Sequence, residues 1–181
     1  MRGRVVILSG PSGVGKDTVL LEWTKRNSRV QRVVAYTTRS PRPGEVNHAD
    51  YHFVDRATFD AMKADGAFLE AKEVFGNGYA TPLKDLEAML DRGLIAILKI
   101  DVQGAEEVMS LRPDALTIFL MPPSIEELDR RIRSRGSDDP AVIEVRLEGA
   151  HRELESAQLY QHRIVNDDLD KTIQALEDLI Q

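Results

Sequence analysis

The stretch RVVILSGPSGVGKDTVLLEW, from Arg4 to Trp23, does more than any other to limit how this chain folds. Val5-Val6-Ile7-Leu8 is a short, continuous apolar run, which suits a strand buried on both faces of a parallel sheet. After Lys16, Val19, Leu20 and Trp23 recur at helical spacing. Between strand and helix, Gly10-Pro11-Ser12-Gly13-Val14-Gly15-Lys16 fits the pattern G-x-x-x-x-G-K of a phosphate-binding loop. Its glycines let backbone N–H groups turn inward around phosphate oxygens, and the helix N-terminus adds partial positive charge. Lys16 would reach the β- and γ-phosphates. A glycine-rich turn with no ligand is the plain alternative, and the flanking apolar run and the lysine weigh against it.

The pattern expects Ser or Thr after the lysine, and this chain has Asp17. A carboxylate in the first turn of a helix is favoured by the helix dipole. Facing a bare triphosphate, it would repel. With Mg²⁺ between them, Asp17 becomes an outer ligand, directly or through water, and Thr18 offers a hydroxyl one position later. The loop reads as an ATP site that works with its metal.

Composition narrows the class. With 42% hydrophobic and 30% charged residues, the 181-residue chain has the profile of one soluble globular domain. It has no cysteine, so disulfides, thiol nucleophiles and thiolate metal sites are excluded. No apolar run approaches the ~20 residues that span a bilayer, and the N-terminus reaches a strand without a signal-peptide pattern. A cytoplasmic location is the default expectation, with no membrane partner. The net charge of −6 argues against a nucleic-acid binder with a broad basic face. A few local arginines suffice for a small anion.

Strands and helices then alternate. LIAILKID, residues 94–101, reads as a second buried strand. The helical PLKDLEAMLDRG before it has Pro82 at its start and Gly93 just past its end. ALTIFLMPP is a third strand; Ser124 then opens a helix with Glu127 three residues on, a capping box. A further helix runs from Asp139-Pro140 toward Tyr160, RIV at 163–165 makes a short strand, and Ile173, Leu176 and Ile180 mark a closing helix. The pattern predicts an α/β fold with a mainly parallel sheet and a ligand at the carboxyl ends of its strands. Residues 33–81 break the rhythm. They read as a small antiparallel insertion with one short helix near Phe59 and Met62.

The insertion carries TTRSPRPGE, with Arg39 and Arg42 on a turn stiffened by Pro41 and Pro43. Two guanidinium groups so placed make a clamp for a second phosphate, or else a solvated basic turn. Tyr51 and Tyr79 would add phenol donors, or are plain core and surface. In FLEAKEV, strand alternation would turn Glu70 inward. Its two oxygens match guanine N1–H and the 2-amino group, whereas adenine presents an acceptor at N1. Asp101 ends an apolar strand, where an acid that serves Mg²⁺ is expected. Either acid could equally be a solvated strand-end charge. Arg131 and Arg135 share a helical face, and a Gly136-acidic break precedes Arg146. A mobile segment bringing arginines over a transferring phosphoryl group would look like this, as would a solvated helix pair. His48 and His52 lie in a Gly/Pro-rich β stretch, so their spacing of four does not make a helical metal pair, and no dedicated metal site is assigned beyond ATP-bound Mg²⁺.

Together GPSGVGK, TTRSPRPGE, DYHFV, FLE, GYAT, IDVQGA, MPPS, RRIRSRG and IVNDDLD, in this order across nearly the whole chain, resemble the guanylate kinase family. The resemblance implies a P-loop kinase fold as a single domain: core 1–32, 94–128 and 160–181, a GMP-binding insertion 33–93 and a lid 129–159. It implies transfer of the γ-phosphoryl of MgATP to GMP, and to dGMP beside it, by a monomer or homodimer. Arg39, Arg42, Tyr51 and Tyr79 would hold the GMP phosphate with Thr81 nearby, and Glu70 and Asp101 would read guanine. Lys16 and the glycine loop would cradle ATP, Arg131, Arg135 and Arg146 would be lid arginines, and Asn166 would lie near the adenine side. Departures are Asp17, Ala35 for a serine that touches guanine, Ala80 for a glycine, and Lys99 for an acidic residue. Asp17 is closer to ribose 1,5-bisphosphate phosphokinase, of the same fold, than to most guanylate kinases. That enzyme has no base to read, so Glu70 argues against it. A non-catalytic binding module of this fold is the other alternative, and Lys16 with the lid arginines speaks against it.

Overall fold

The computed structural model describes residues 2–74, 76–134 and 140–181. β1 (Arg4–Ser9) is buried from Val5 to Ser9. Its continuous apolar run is what a strand covered on both faces requires. It pairs in parallel with β8 (Leu116–Met121), and β8 in parallel with β9 (His162–Val165). β2 (Val30–Arg32) pairs in parallel with β7 (Ile95–Lys99). The sheet has five strands in the order β2-β7-β1-β8-β9. β9, at one edge, alternates half-buried and exposed residues, as an edge allows.

α1 (Lys16–Arg26) follows β1 directly and buries Val19, Leu20 and Trp23. The Trp23 indole N–H donates to Glu177 of α7 (Leu169–Ile180), which satisfies the polar edge of a fully buried ring. α4 (Val102–Leu111) is a helix that the sequence pattern did not suggest. Gly104 breaks its propensity, and its burial of Gly104, Ala105 and Val108 supplies what propensity lacks.

The insertion forms a second sheet of order β4-β3-β6-β5, and here one expectation is corrected. β3 (Tyr36–Thr37) pairs antiparallel with β6 (Asn77–Pro82), and β6 antiparallel with β5 (Phe68–Val74). β3 and β4 (His52–Phe53) pair in parallel, so the sheet is mixed. A tight hairpin would have reversed the chain. The long segment from Thr38 to Tyr51 instead crosses over, as a parallel pair demands. α2 (Arg56–Ala64) is capped by Asp55, whose carboxylate accepts from the Thr58 N–H at 2.7 Å. α3 (Leu83–Asp91) starts after Pro82 and is followed by Gly93 at φ 75°.

By contact density the chain divides into two units. One comprises Met1–Val5, Arg29–Leu98 and Gln103–Ala115; the other comprises Val6–Ser28, Lys99–Val102 and Leu116–Gln181. Within the second, α5 (Ile125–Ser134) packs on α6 (Pro140–Glu155) through Leu128, Ile132, Leu147 and Ala150. Each buried leucine or isoleucine is worth roughly 1.5–3 kcal/mol. The exposed Arg133–Glu144 pair on the same helices adds at most about 1 kcal/mol, so apolar packing sets the helix pair. No helix among the described residues is long and apolar enough to cross a membrane.

Candidate active site

The loop from Gly10 to Gly15 joins the end of β1 to α1 in the second unit. Gly13 and Gly15 hold φ 86° and 101°, a region that side chains with a Cβ avoid. They are also hemmed in. A Cβ on Gly13 would lie 2.7 Å from the Ile132 side chain, and one on Gly15 2.7 Å from the Asn166 amide. The loop therefore keeps a backbone cradle that no larger residue can enter. The Lys16 ammonium folds back onto the Gly10 carbonyl and donates to Pro11 O at 3.0 Å. Burial pushes Lys16 down to about 8; Glu153, Asp17 and Asp101 oppose that shift, and Lys99 adds to it. A lysine so enclosed gains from any anion delivered to the loop.

Groups from α5, α6 and the segment after β9 brace the cradle. The Ser12 N–H donates to Glu153 at 2.9 Å, and Arg146 lies 3.4 Å from the Ser12 hydroxyl. Arg131 donates to the carbonyls of Val14 and Asn166, both at 3.3 Å, while Glu127 accepts its Nε–H at 2.7 Å. Asn166 is buried; its amide donates to Val14 O at 2.8 Å and its oxygen accepts from Thr172. In this structure Asn166 supports the loop from behind. Arg135 lies outside the described residues. The capping box at α5 forms by half: Ser124 accepts from the Glu127 N–H, but the Glu127 carboxylate goes to Arg130 and Arg131. Those two guanidinium groups hold Glu127 well below the usual carboxylate range.

Asp17 and Thr18 are exposed on the first turn of α1, and Asp101 sits between β7 and α4. Lys99, at the end of β7, places its ammonium on Asp17. Magnesium takes hard oxygen ligands and keeps several waters. The oxygens of Asp17, Thr18 and Asp101 are of that class, and the Asp17 side chain is 74% exposed while it meets Lys99. Among the described residues no group of three or more His, Asp or Glu forms a metal-binding cluster.

The first unit holds the predicted acceptor residues other than Asp101, which lies in the second. Glu45 takes both Nη groups of Arg39, at 2.8 and 2.9 Å, and also accepts the Arg42 backbone N–H at 2.7 Å. Glu45 drives Arg39 far above its ordinary range, against burial and with help from the Tyr79 phenol. The Arg42 side chain is exposed. The guanidinium groups of Arg32 and Arg39 each lie over the Tyr51 ring, at 5.2 and 5.5 Å from its centroid, and the ring meets Tyr79 edge-on at 6.0 Å. A positive φ of 66° at His48 lets its N–H donate to Tyr51 O, which fixes that turn. Glu70 is 5% exposed and accepts from the Thr81 hydroxyl at 2.7 Å. A register shift between Phe68 and Glu70 sets Glu70 opposite Thr81, the kind of bulge that re-aims a side chain.

The sequence reading missed Glu45 and Glu153, and it gave Glu127 a capping role rather than its place on Arg130 and Arg131. Glu45 stands three residues after Arg42, and Glu127 four before Arg131, so both carried a local pairing signal. Glu153 carried none, because its contact with Ser12 spans 141 positions.

A family model described as guanylate kinase matches residues 2–181. A guanylate kinase of a Nostoc species is 42% identical over 177 residues, which cover 98% of this chain and 89% of that one. A guanylate kinase of Thermus thermophilus is 46% identical over 173 residues, 96% of this chain and 78% of that one. The crystal structure of guanylate kinase from Anaplasma phagocytophilum superimposes with a TM-score of 0.79 at 36% identity, covering 99% of this chain and 85% of that one. Sequence match and fold thus agree along essentially the full length: the chain belongs to the guanylate kinase family.

Proposed function

We propose that this enzyme transfers the γ-phosphoryl group of MgATP to GMP, and to dGMP, giving ADP and GDP. A phosphate oxygen of GMP attacks the γ-phosphorus in line as the bond to the β–γ bridging oxygen breaks, with no covalent intermediate. Phosphoryl transfer leaves the protein little covalent chemistry to do, so positioning and charge stabilisation carry the rate. Lys16 and the N–H groups of the Gly10–Gly15 loop hold the β- and γ-oxygens. Arg131 and Arg146, already at the loop, and Arg135 meet charge that builds on the transferred group. Asp17, Thr18 and Asp101 would hold magnesium through water, where it would supply charge neutralisation for the phosphates. Arg39, Arg42, Tyr51 and Tyr79 hold the acceptor phosphate. Asn166 braces the loop on the adenine side. The division into core 1–32, 94–128 and 160–181, insertion 33–93 and lid 129–159 belongs to the same proposal.

The Glu70 carboxylate carries the assignment to guanine. It is buried and has one oxygen on Thr81, so it favours a partner with adjacent donors, which guanine has and adenine lacks. Asp101 adds a second acceptor for the base. Glu70→Gln turns one acceptor into a donor, and a site built on buried hydrogen bonds loses much when one is mismatched. The expected result is a fall of roughly 10- to 100-fold in kcat/KM for GMP with ATP KM unchanged, and a narrower preference for GMP over AMP. Steady-state kinetics with both nucleotides checks it. An unchanged preference would remove Glu70 from base recognition.

A further inference from the structure

Asp17 and Lys99 lie 82 positions apart and touch in the structure. Lys99 is the last residue of β7, at the carboxyl end of a parallel strand, and its side chain is only 12% exposed. Asp17 has a side chain 74% exposed and stands in the first turn of α1, directly after the loop lysine. A nearly buried ammonium requires an anion, and Asp17 provides one. Lys99 is also close enough to Lys16 for each charge to feel the other, with Asp101 in the same field. Two ammonium groups thus lie near the loop, that of Lys16 folded onto carbonyls and that of Lys99 held by a carboxylate.

We propose that Lys99 is a second phosphate-directed cation of this site, held by Asp17 until a nucleotide arrives, and that the pair makes tight nucleotide binding conditional on metal. The inference rests on the nucleotide-kinase reading above. Lysine suits such an exchange: its ammonium is a compact charge with three donors on a flexible stem. A polyphosphate carries more charge than one carboxylate and competes for the ammonium. The released Asp17 then faces the nucleotide with nothing to cancel its charge unless a hydrated cation comes with it. In bare nucleotide the exchange gains one contact and creates one repulsion. With magnesium the repulsion becomes an attraction.

Calorimetric titration of ADP, in EDTA and again in excess Mg²⁺, tests this without any turnover. The readout is the ratio of the two dissociation constants, EDTA over Mg²⁺. Asp17→Asn frees Lys99 and removes the repulsion, so the ratio is expected to fall by about fivefold or more. Lys99→Met leaves Asp17 facing the phosphates, so the ratio is expected to rise by a similar factor, and Lys99→Arg is expected to keep it near the parent value. Melting curves verify folding; if Lys99→Met does not fold, Lys99→Gln, which keeps a polar side chain without the charge, takes its place, because Asp17→Asn alone also removes a magnesium residue. A parent-like ratio in folded Asp17→Asn would overturn the proposal and leave the pair a structural contact. GMP-dependent ADP release by the unaltered protein, measured on the same preparation, reports separately on the reaction. A chain that turns over GMP yet shows the parent ratio in Asp17→Asn keeps the reaction and loses both the Lys99 assignment and Asp17 as a magnesium residue.

Discussion

Lys16→Met is expected to lower kcat for MgATP-dependent GMP phosphorylation by roughly 10²- to 10³-fold, the usual cost of one charge-stabilising donor. The loop is otherwise uncharged, and Lys16 is the residue whose ammonium its carbonyls gather. The fold should not suffer. Burial already holds this ammonium down to about 8, so removing it removes a costly buried charge along with its two carbonyl contacts. A melting temperature within about 3 °C of the parent, beside the collapse in kcat, separates a catalytic role from a structural one. The same lysine limits the pH range. In the nucleotide-free enzyme it loses its proton as pH rises through about 8, so kcat/KM for ATP is expected to decline above that point, by up to tenfold per unit. Bound phosphate favours the protonated form, so kcat itself should hold to higher pH.

Arg39→Ala is expected to raise the GMP KM by roughly 30- to 150-fold, the equivalent of about 2–3 kcal/mol for a charge-assisted bidentate contact. The ATP KM should move less than about threefold, because Arg39 and the Lys16 loop belong to different units. Glu45 already shows the geometry that a phosphate would use, two parallel N–H···O contacts with one more from a backbone N–H. The substitution also removes one of the two cations over the Tyr51 ring, so Tyr51 loses a cation–π contact as well. Steady-state kinetics with each substrate varied in turn checks it, and equal effects on both substrates would remove Arg39 from the acceptor site.

The strand–loop–helix core was legible in sequence because its signals are local: an apolar run, glycines with positive φ, and a helical repeat buried at Val19, Leu20 and Trp23. The fixed spacing of Gly10 to Lys16 named the ligand class for the same reason. α4 escaped because burial, not propensity, holds a helix with Gly104 inside it. The parallel β3–β4 pair escaped because strand direction depends on the path of Thr38–Tyr51, which two-residue strands do not encode. Asp17 looked out of place in sequence because its counter-charge, Lys99, arrives from the end of another strand. Glu45 was visible in the sequence but unread: an acid after RSPRPG has no evident task until the turn brings it onto Arg39.

The most direct test is ADP release from MgATP offered GMP, AMP and ribose 1,5-bisphosphate in parallel. Rapid turnover with GMP and little with the other two is the predicted result. Turnover with the sugar bisphosphate and none with GMP would contradict the account, and would make Asp17 rather than Glu70 the residue that marks the substrate.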